Sequence, residues 1–168
     1  MAFAAGMLTL LLAMPVKAAG PTAVGLWEQS DDNGRVGGWF LIYENGKVFE
    51  GALAKMFPKP GEDPNPICKK CKGDQKNAPS LGLVMIKGMQ RDGLSYENGT
   101  ILDPRDGTIY KARMEVSPDG NELTVRGYLG IPLFGKSQIW KRIPDENLLP
   151  EETPENLLPF LPALAKQE

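Results

Sequence analysis

The sequence predicts an all-β fold: a single antiparallel up-and-down β-barrel of about eight strands, with a long cysteine-containing loop and a disordered C-terminal tail. Three observations carry this. Six Asx-Gly dipeptides punctuate the chain, Asn33-Gly34, Asn45-Gly46, Asp92-Gly93, Asn98-Gly99, Asp106-Gly107 and Asp119-Gly120. Both residue types tolerate positive φ, and several of the pairs separate segments rich in aromatic and β-branched residues, so they read as the corners of a meander. The 19 Gly and 15 Pro exceed average usage and favour short strands over long helices. Finally, Tyr110, Ala112, Met114 and Val116 alternate with Lys111, Arg113 and Glu115, which describes a strand with one dry and one wet face. Closure removes exposed edges; a sandwich of the same strands is the alternative.

The elements follow in order. Ala4 to Val16 is apolar apart from Thr9, too short to span a bilayer comfortably, and leads into Val16-Lys17-Ala18-Ala19, with small residues where an export peptidase reads. Residues 1–18 are therefore expected to be a signal peptide rather than a transmembrane anchor, and the protein to be periplasmic or secreted. Met1 to Gly6 lack the usual basic residue of such a leader. Residues 19–144 form the barrel domain, of a size that buries a core without help from metals. Strands are expected near Val24–Gln29, Gly38–Glu44, Lys47–Met56, Leu83–Gln90, Thr100–Asp103, Thr108–Ser117, Glu122–Gly130 and Ser137–Ile143.

Phe57–Pro79 breaks the strand pattern with four prolines by Pro66, a lysine cluster and both cysteines, and reads as a long loop. Past Ile143, Glu146-Asn147-Leu148-Leu149-Pro150 recurs as Glu155-Asn156-Leu157-Leu158-Pro159. Proline at that spacing denies a helix, so residues 145–168 are expected to be a flexible tail.

Cys68-Lys69-Lys70-Cys71 is the conspicuous chemical motif. In an oxidising compartment it most simply forms a disulfide that staples the loop. The sharper alternative is a redox-active pair, because Lys69, Lys70, Lys72 and Lys76 would favour a thiolate, but no strand-to-helix context of the thioredoxin kind surrounds it. Zinc would need further ligands in a chain with no His and no other Cys, and Lys72 replaces the histidine of a haem-attachment motif. No metal and no cofactor are expected.

The absence of histidine removes Ser-His-Asp and Cys-His catalysis and the commonest general base. Nucleophile-elbow, phosphate-loop and dinucleotide motifs are missing too, so no enzyme activity is expected. Asp103-Pro104-Arg105-Asp106-Gly107 could offer two carboxylates, but turn chemistry accounts for every residue in it. Residues 19–144 carry 17 basic and 15 acidic groups, residues 145–168 one and six. Without a strongly basic total, nucleic-acid binding has little support.

Two segments carry a resemblance. Asn98 to Ala112 (NGTILDPRDGTIYKA) and Arg126 to Arg142 (RGYLGIPLFGKSQIWKR), with Cys68-x-x-Cys71-Lys72-Gly73 and Pro79-x-x-Gly82, resemble the bacterial family called domain of unknown function 2147, from Gly25 through Arg142. That resemblance implies an exported protein with a lipocalin-like barrel. Gly25-Leu26-Trp27 on the first strand with Arg142 on the last is also similar to lipocalins, which implies an Arg packed across the Trp at the closed end, a cation–π contact. Gly25, Trp27 and Arg142 are thus expected to be structural; the other lipocalin motifs are absent.

Two functions fit. The first is binding of a small apolar ligand in the barrel interior, with Trp39, Tyr110, Tyr128 and Trp140 as wall residues and Arg126 as a polar contact. The second is an envelope interaction or stress-related protein that contacts a partner protein or an anionic surface through its basic loop and Leu-Pro tail. Thiol-disulfide chemistry through Cys68 and Cys71 is a minor third. A hollow interior favours the first, a filled one the second.

Overall fold

A computed structural model describes residues 20–161. Eight strands, β1 (Gly25–Ser30), β2 (Val36–Asn45), β3 (Val48–Met56), β4 (Val84–Asp92), β5 (Ser95–Asp103), β6 (Thr108–Val116), β7 (Glu122–Tyr128) and β8 (Lys136–Ile143), follow one another. Each pairs antiparallel with the next, and β8 pairs with β1 to close the barrel. The expected all-β, up-and-down barrel of antiparallel strands is the fold. The expected signal peptide over residues 1–18 lies outside the described residues.

Five of the Asx-Gly pairs sit at strand connections, with glycine φ values from 63° to 77°. Asn98-Gly99 does not. It lies inside β5, where Asn98 has φ 62° and the register with β6 shifts between Tyr96 and Gly99. The pair marks a bulge, which uses the same left-handed residue as a turn but keeps the strand going. Hence β5 begins five residues before the expected Thr100.

The barrel interior is filled by its own side chains. Trp27 and Trp140 are buried, Phe40 stacks on Trp140 with centroids 4.4 Å apart, and Phe49 meets Tyr96 edge-on at 4.9 Å. Ile42, Ile86, Met89, Met114, Leu123 and Val125 join the same cluster. Glycines make room for this filling: a Cβ on Gly51 would lie 2.6 Å from Ile42 Cδ1, and one on Gly99 would collide with the Met89 sulfur. Close packing of this kind leaves the middle of the barrel as core.

A second cluster lies on the outside of β1–β3. Leu26, Leu41, Tyr43, Ala52 and Ala54 are buried there by Leu148, Leu157 and Leu161. This corrects the expectation of a flexible tail, as far as residues 145–161 are concerned. They lie on the sheet in three 3-10 turns, Asp145–Asn147, Pro150–Glu152 and Glu155–Phe160, a geometry that proline tolerates where an α-helix would not form. Phe160 stacks on Tyr43 at 4.1 Å, Asn156 donates to the Gly82 carbonyl at 3.0 Å, and Lys55 pairs with Glu152 at 2.6 Å. Residues 162–168 lie outside the described residues.

Candidate functional site

The two ends of the barrel are built differently. At the end where β1 begins, residues 20–24 cross the opening. Ala23 N–H donates to the Tyr96 hydroxyl at 2.9 Å, and Trp27 Nε1 donates to Ala23 O at 2.8 Å. Arg142 lies over the Trp27 ring, 4.1 Å from its centroid, and donates to the carbonyls of Gly120 (2.6 Å), Val24 (2.9 Å) and Thr22. Burial pushes the Arg142 guanidinium pKa down, partly opposed by Asp145 and Tyr96. Asp145 in turn accepts from Leu26 N–H at 2.9 Å. A Cβ on Gly25 would lie 2.5 Å from Arg142 Nη1, so the glycine leaves room for the guanidinium. Gly25, Trp27 and Arg142 thus form the expected closed end.

The other end carries the connections β1–β2, β3–β4, β5–β6 and β7–β8. Here the structure brings together only part of the expected pocket wall. Trp140 is in the filled core, its Nε1 donating to Gln138 at 3.2 Å. Tyr110 faces inward near the rim, half-buried, two residues along β6 from buried Ala112. Trp39 lies on the outside of β2, with Lys55 Nζ 5.0 Å above its ring, Phe57 edge-on at 5.2 Å and Glu28 accepting from its Nε1 at 3.3 Å.

Arg126 and Tyr128 also face outward. The reason is register: Leu123 and Val125 are buried inside and Gly127 pairs with Ala112, so the residues between them point out. Arg126 has a role that was not expected. Its Nε donates to the Pro132 carbonyl at 2.8 Å, its Nη2 to Pro132 at 2.6 Å and Leu133 at 3.2 Å, and its Nη1 to the Ser137 hydroxyl at 2.8 Å. The guanidinium therefore ties down the β7–β8 loop, whose tip is a 3-10 turn, Pro132–Phe134. Four apolar side chains of that loop stand in water: Leu129 at 61 %, Ile131 at 53 %, Leu133 at 76 % and Phe134 at 78 % exposure. The run Leu129-Gly-Ile-Pro-Leu-Phe134 between two strands was the available signal, but apolar runs read as core by default.

Cys68 and Cys71 form the expected disulfide, with Cα atoms 5.4 Å apart. Both are buried in the same apolar cluster as Leu83, Met85 and Leu102. Cys68 N–H donates to Ala78 O at 2.8 Å, Asn77 N–H to Cys68 O at 2.9 Å and Ser80 N–H to Pro66 O at 2.8 Å, so the loop has a hydrogen-bonded neck. It presses on the β5–β6 turn: Gly107 has φ 76°, and a Cβ there would collide with the Lys70 carbonyl. That turn is the expected one, with Asp103 accepting from Arg105 and Asp106 from Thr108 N–H. The hydrogen bond from the Arg105 side chain holds the Asp103 carboxyl below the usual range.

Burial modifies what a cysteine exchange should do. Serine hydroxyls in that apolar setting cost about 1–3 kcal/mol through desolvation, while the short closed loop contributes little chain entropy. Urea melts should therefore show a larger loss for Cys68→Ser/Cys71→Ser than for Cys68→Ala/Cys71→Ala, with far-ultraviolet dichroism unchanged. Equal losses would mean that the bridge itself holds the loop.

Between the β1–β2 and β3–β4 connections lies a cleft of about 370 Å³, lined by Arg35, Phe57, Lys59, Glu62 and Asp63 among others. Arg35 donates to the Phe57 carbonyl at 2.9 Å across it. The backbone amide of Arg35 holds the Asp31 carboxyl below the usual range. Among the described residues no cluster of three or more His, Cys, Asp or Glu side chains could hold a metal, and no helix is long and apolar enough to cross a membrane.

No curated protein matches the chain. A solved structure titled "Protein HP1028 from the human pathogen Helicobacter pylori belongs to the lipocalin family" is similar to it with a TM-score of 0.64, covering 76% of this chain and 86% of that one at 18% identity. At that identity the likeness speaks for the fold. The family model described as "Uncharacterized protein conserved in bacteria (DUF2147)" matches residues 25–142, the whole barrel from Gly25 to the Arg142 that covers Trp27, and the chain belongs to that family.

Proposed function

We propose that this chain is an exported, non-catalytic docking protein that works through the rim of its barrel. The observation that carries the reading is the β7–β8 loop, where four large apolar side chains stand in water on a backbone clamped by Arg126. Ordering such a loop beforehand lowers the entropy cost of binding, and exposed apolar groups clustered on a soluble domain mark interaction surfaces. The filled interior supports the same reading, because a ligand there would have to displace Phe40 and Trp140 from their stack.

Fractionation of the native host tests it. Wild-type chain should co-sediment with the envelope, and Phe134→Asp should move most of it to the soluble fraction with a thermal midpoint nearly unchanged, since that side chain is largely in water. Retention of the variant in the envelope would overturn the reading. One observation favours a second reading, a small molecule bound at the rim: the cleft beside Phe57 falls in the size range of small-molecule sites.

A further inference from the structure

Resting on the docking reading, we infer that the surface this rim takes is an anionic phospholipid bilayer, into which Leu129, Ile131, Leu133 and Phe134 insert. Three features choose lipid over protein. The four apolar groups sit on one short rim loop whose 3-10 tip leaves Leu133 and Phe134 the most exposed of them, an arrangement suited to shallow insertion at the headgroup boundary.

The loop's neighbours are lysines. Lys136 follows it directly, Lys111 pairs with Tyr128 at its base, and the Lys70 backbone lies against the adjacent β5–β6 turn with Lys69 next to it in sequence, all four residues exposed. Lysine is depleted from protein–protein interfaces, whereas beside an apolar anchor it adds attraction to anionic headgroups. At this end of the flank the acidic groups are Asp74, Asp106 and Asp103, the last paired with Arg105, while Glu97, Glu115, Asp119 and Glu122 lie toward the other end of β5–β7.

The third feature is polarity across the molecule. Asp31, Asp32, Glu62 and Asp63 occupy the opposite half of the same rim, and Glu146, Glu151, Glu152 and Glu155 ride on the strap over β1–β3. That distribution tilts the β5–β8 flank toward a negative surface and the strap away from it. A second copy fits less well, because a closed barrel offers no strand edge for pairing.

Sedimentation of the full chain with equimolar phosphatidylglycerol–phosphatidylcholine vesicles, against pure phosphatidylcholine vesicles, tests the inference. The N-terminal apolar stretch contributes equally in every variant, so comparison is within one background. Leu133→Asp/Phe134→Asp should weaken partitioning by about tenfold or more, and Lys69→Glu/Lys70→Glu/Lys136→Glu by a similar factor. Leu149→Asp, an exposed apolar residue on the strap, should change nothing. Insertion is read locally from Phe134→Trp, whose added emission should be quenched by brominated lipid.

Equal binding by wild type and the loop variant, unquenched emission, or equal binding to both vesicles would each overturn the inference. If the vesicles fail while Phe134→Asp still releases the chain from the native envelope, the lipid is wrong and the docking reading stands. If both fail, both fall.

Discussion

Arg142→Ala is expected to lower the unfolding free energy by about 2–4 kcal/mol, from carbonyls that lose a charged donor and an indole that loses its cover. The guanidinium donates to three carbonyls, of Thr22, Val24 and Gly120, and lies over Trp27. Its loss leaves those acceptors half-buried without donors and uncovers the indole. For a chain of this length the midpoint should fall by roughly 10 °C. Arg142→Met separates the two contributions, because it keeps an unbranched stem over the ring and removes every donor. Arg142→Lys keeps the charge but cannot reach three carbonyls in different directions, so it should recover only part of the loss. A loss below about 1 kcal/mol for Arg142→Ala would mean that Trp27, Tyr96 and the crossing segment close the barrel without it.

The parts of the fold that were legible are those where local chemistry decides. The alternation through β6 gave its buried face correctly, and five Asx-Gly pairs fell at connections because a tight corner needs positive φ. Asn98-Gly99 satisfied the same requirement inside a strand, and nothing local distinguishes a bulge from a turn. The rim site was less legible, since facing is a matter of register. Tyr128 and Arg126 were expected inside on residue type; counting in twos from the apolar Leu123 and Val125 sends both out. Arg126 acts through the backbone of a loop several residues away in sequence, a relation that no residue type announces.

The strap left a trace that could have been read. β2 carries Phe40-Leu41-Ile42-Tyr43 and β3 carries Gly51-Ala52-Leu53-Ala54, both without alternation. A continuous apolar run means that both faces of the strand are covered. One face belongs to the barrel interior, so the other needs a lid from elsewhere in the chain. The twice-repeated Leu-Leu-Pro supplies it: Leu148 and Leu157 are buried, Leu158 is partly buried and Leu149 stays in solvent.

Truncation after Ile143 is therefore expected to destabilise the barrel, contrary to what a free tail would do. It would expose Leu26, Leu41, Tyr43, Ala52 and Ala54 together and remove the Asp145 carboxylate from Leu26 N–H. Burial of Leu148, Leu157 and Leu161 holds the strap on the sheet, and the conformational entropy lost in ordering its backbone opposes that gain. Because the gain and the ordering cost oppose each other, the net docking free energy is a small difference, a few kcal/mol at most by order of magnitude. That bound makes a point variant informative. Leu157→Ala at a fully buried position ordinarily costs about 2–5 kcal/mol, but here the loss cannot exceed the docking free energy, because the strap can detach instead. Leu157→Ala and the truncation should thus give nearly the same midpoint, several degrees below wild type. Proteolysis should cut the strap of Leu157→Ala faster than that of the wild type, at sites between Ile143 and Leu161. A midpoint for the truncation equal to that of wild type would show that the strap adds nothing to barrel stability. A Leu157→Ala midpoint lying well above that of the truncated chain would show instead that the remaining strap contacts, Tyr43 on Phe160 and Asn156 on Gly82, hold without that leucine.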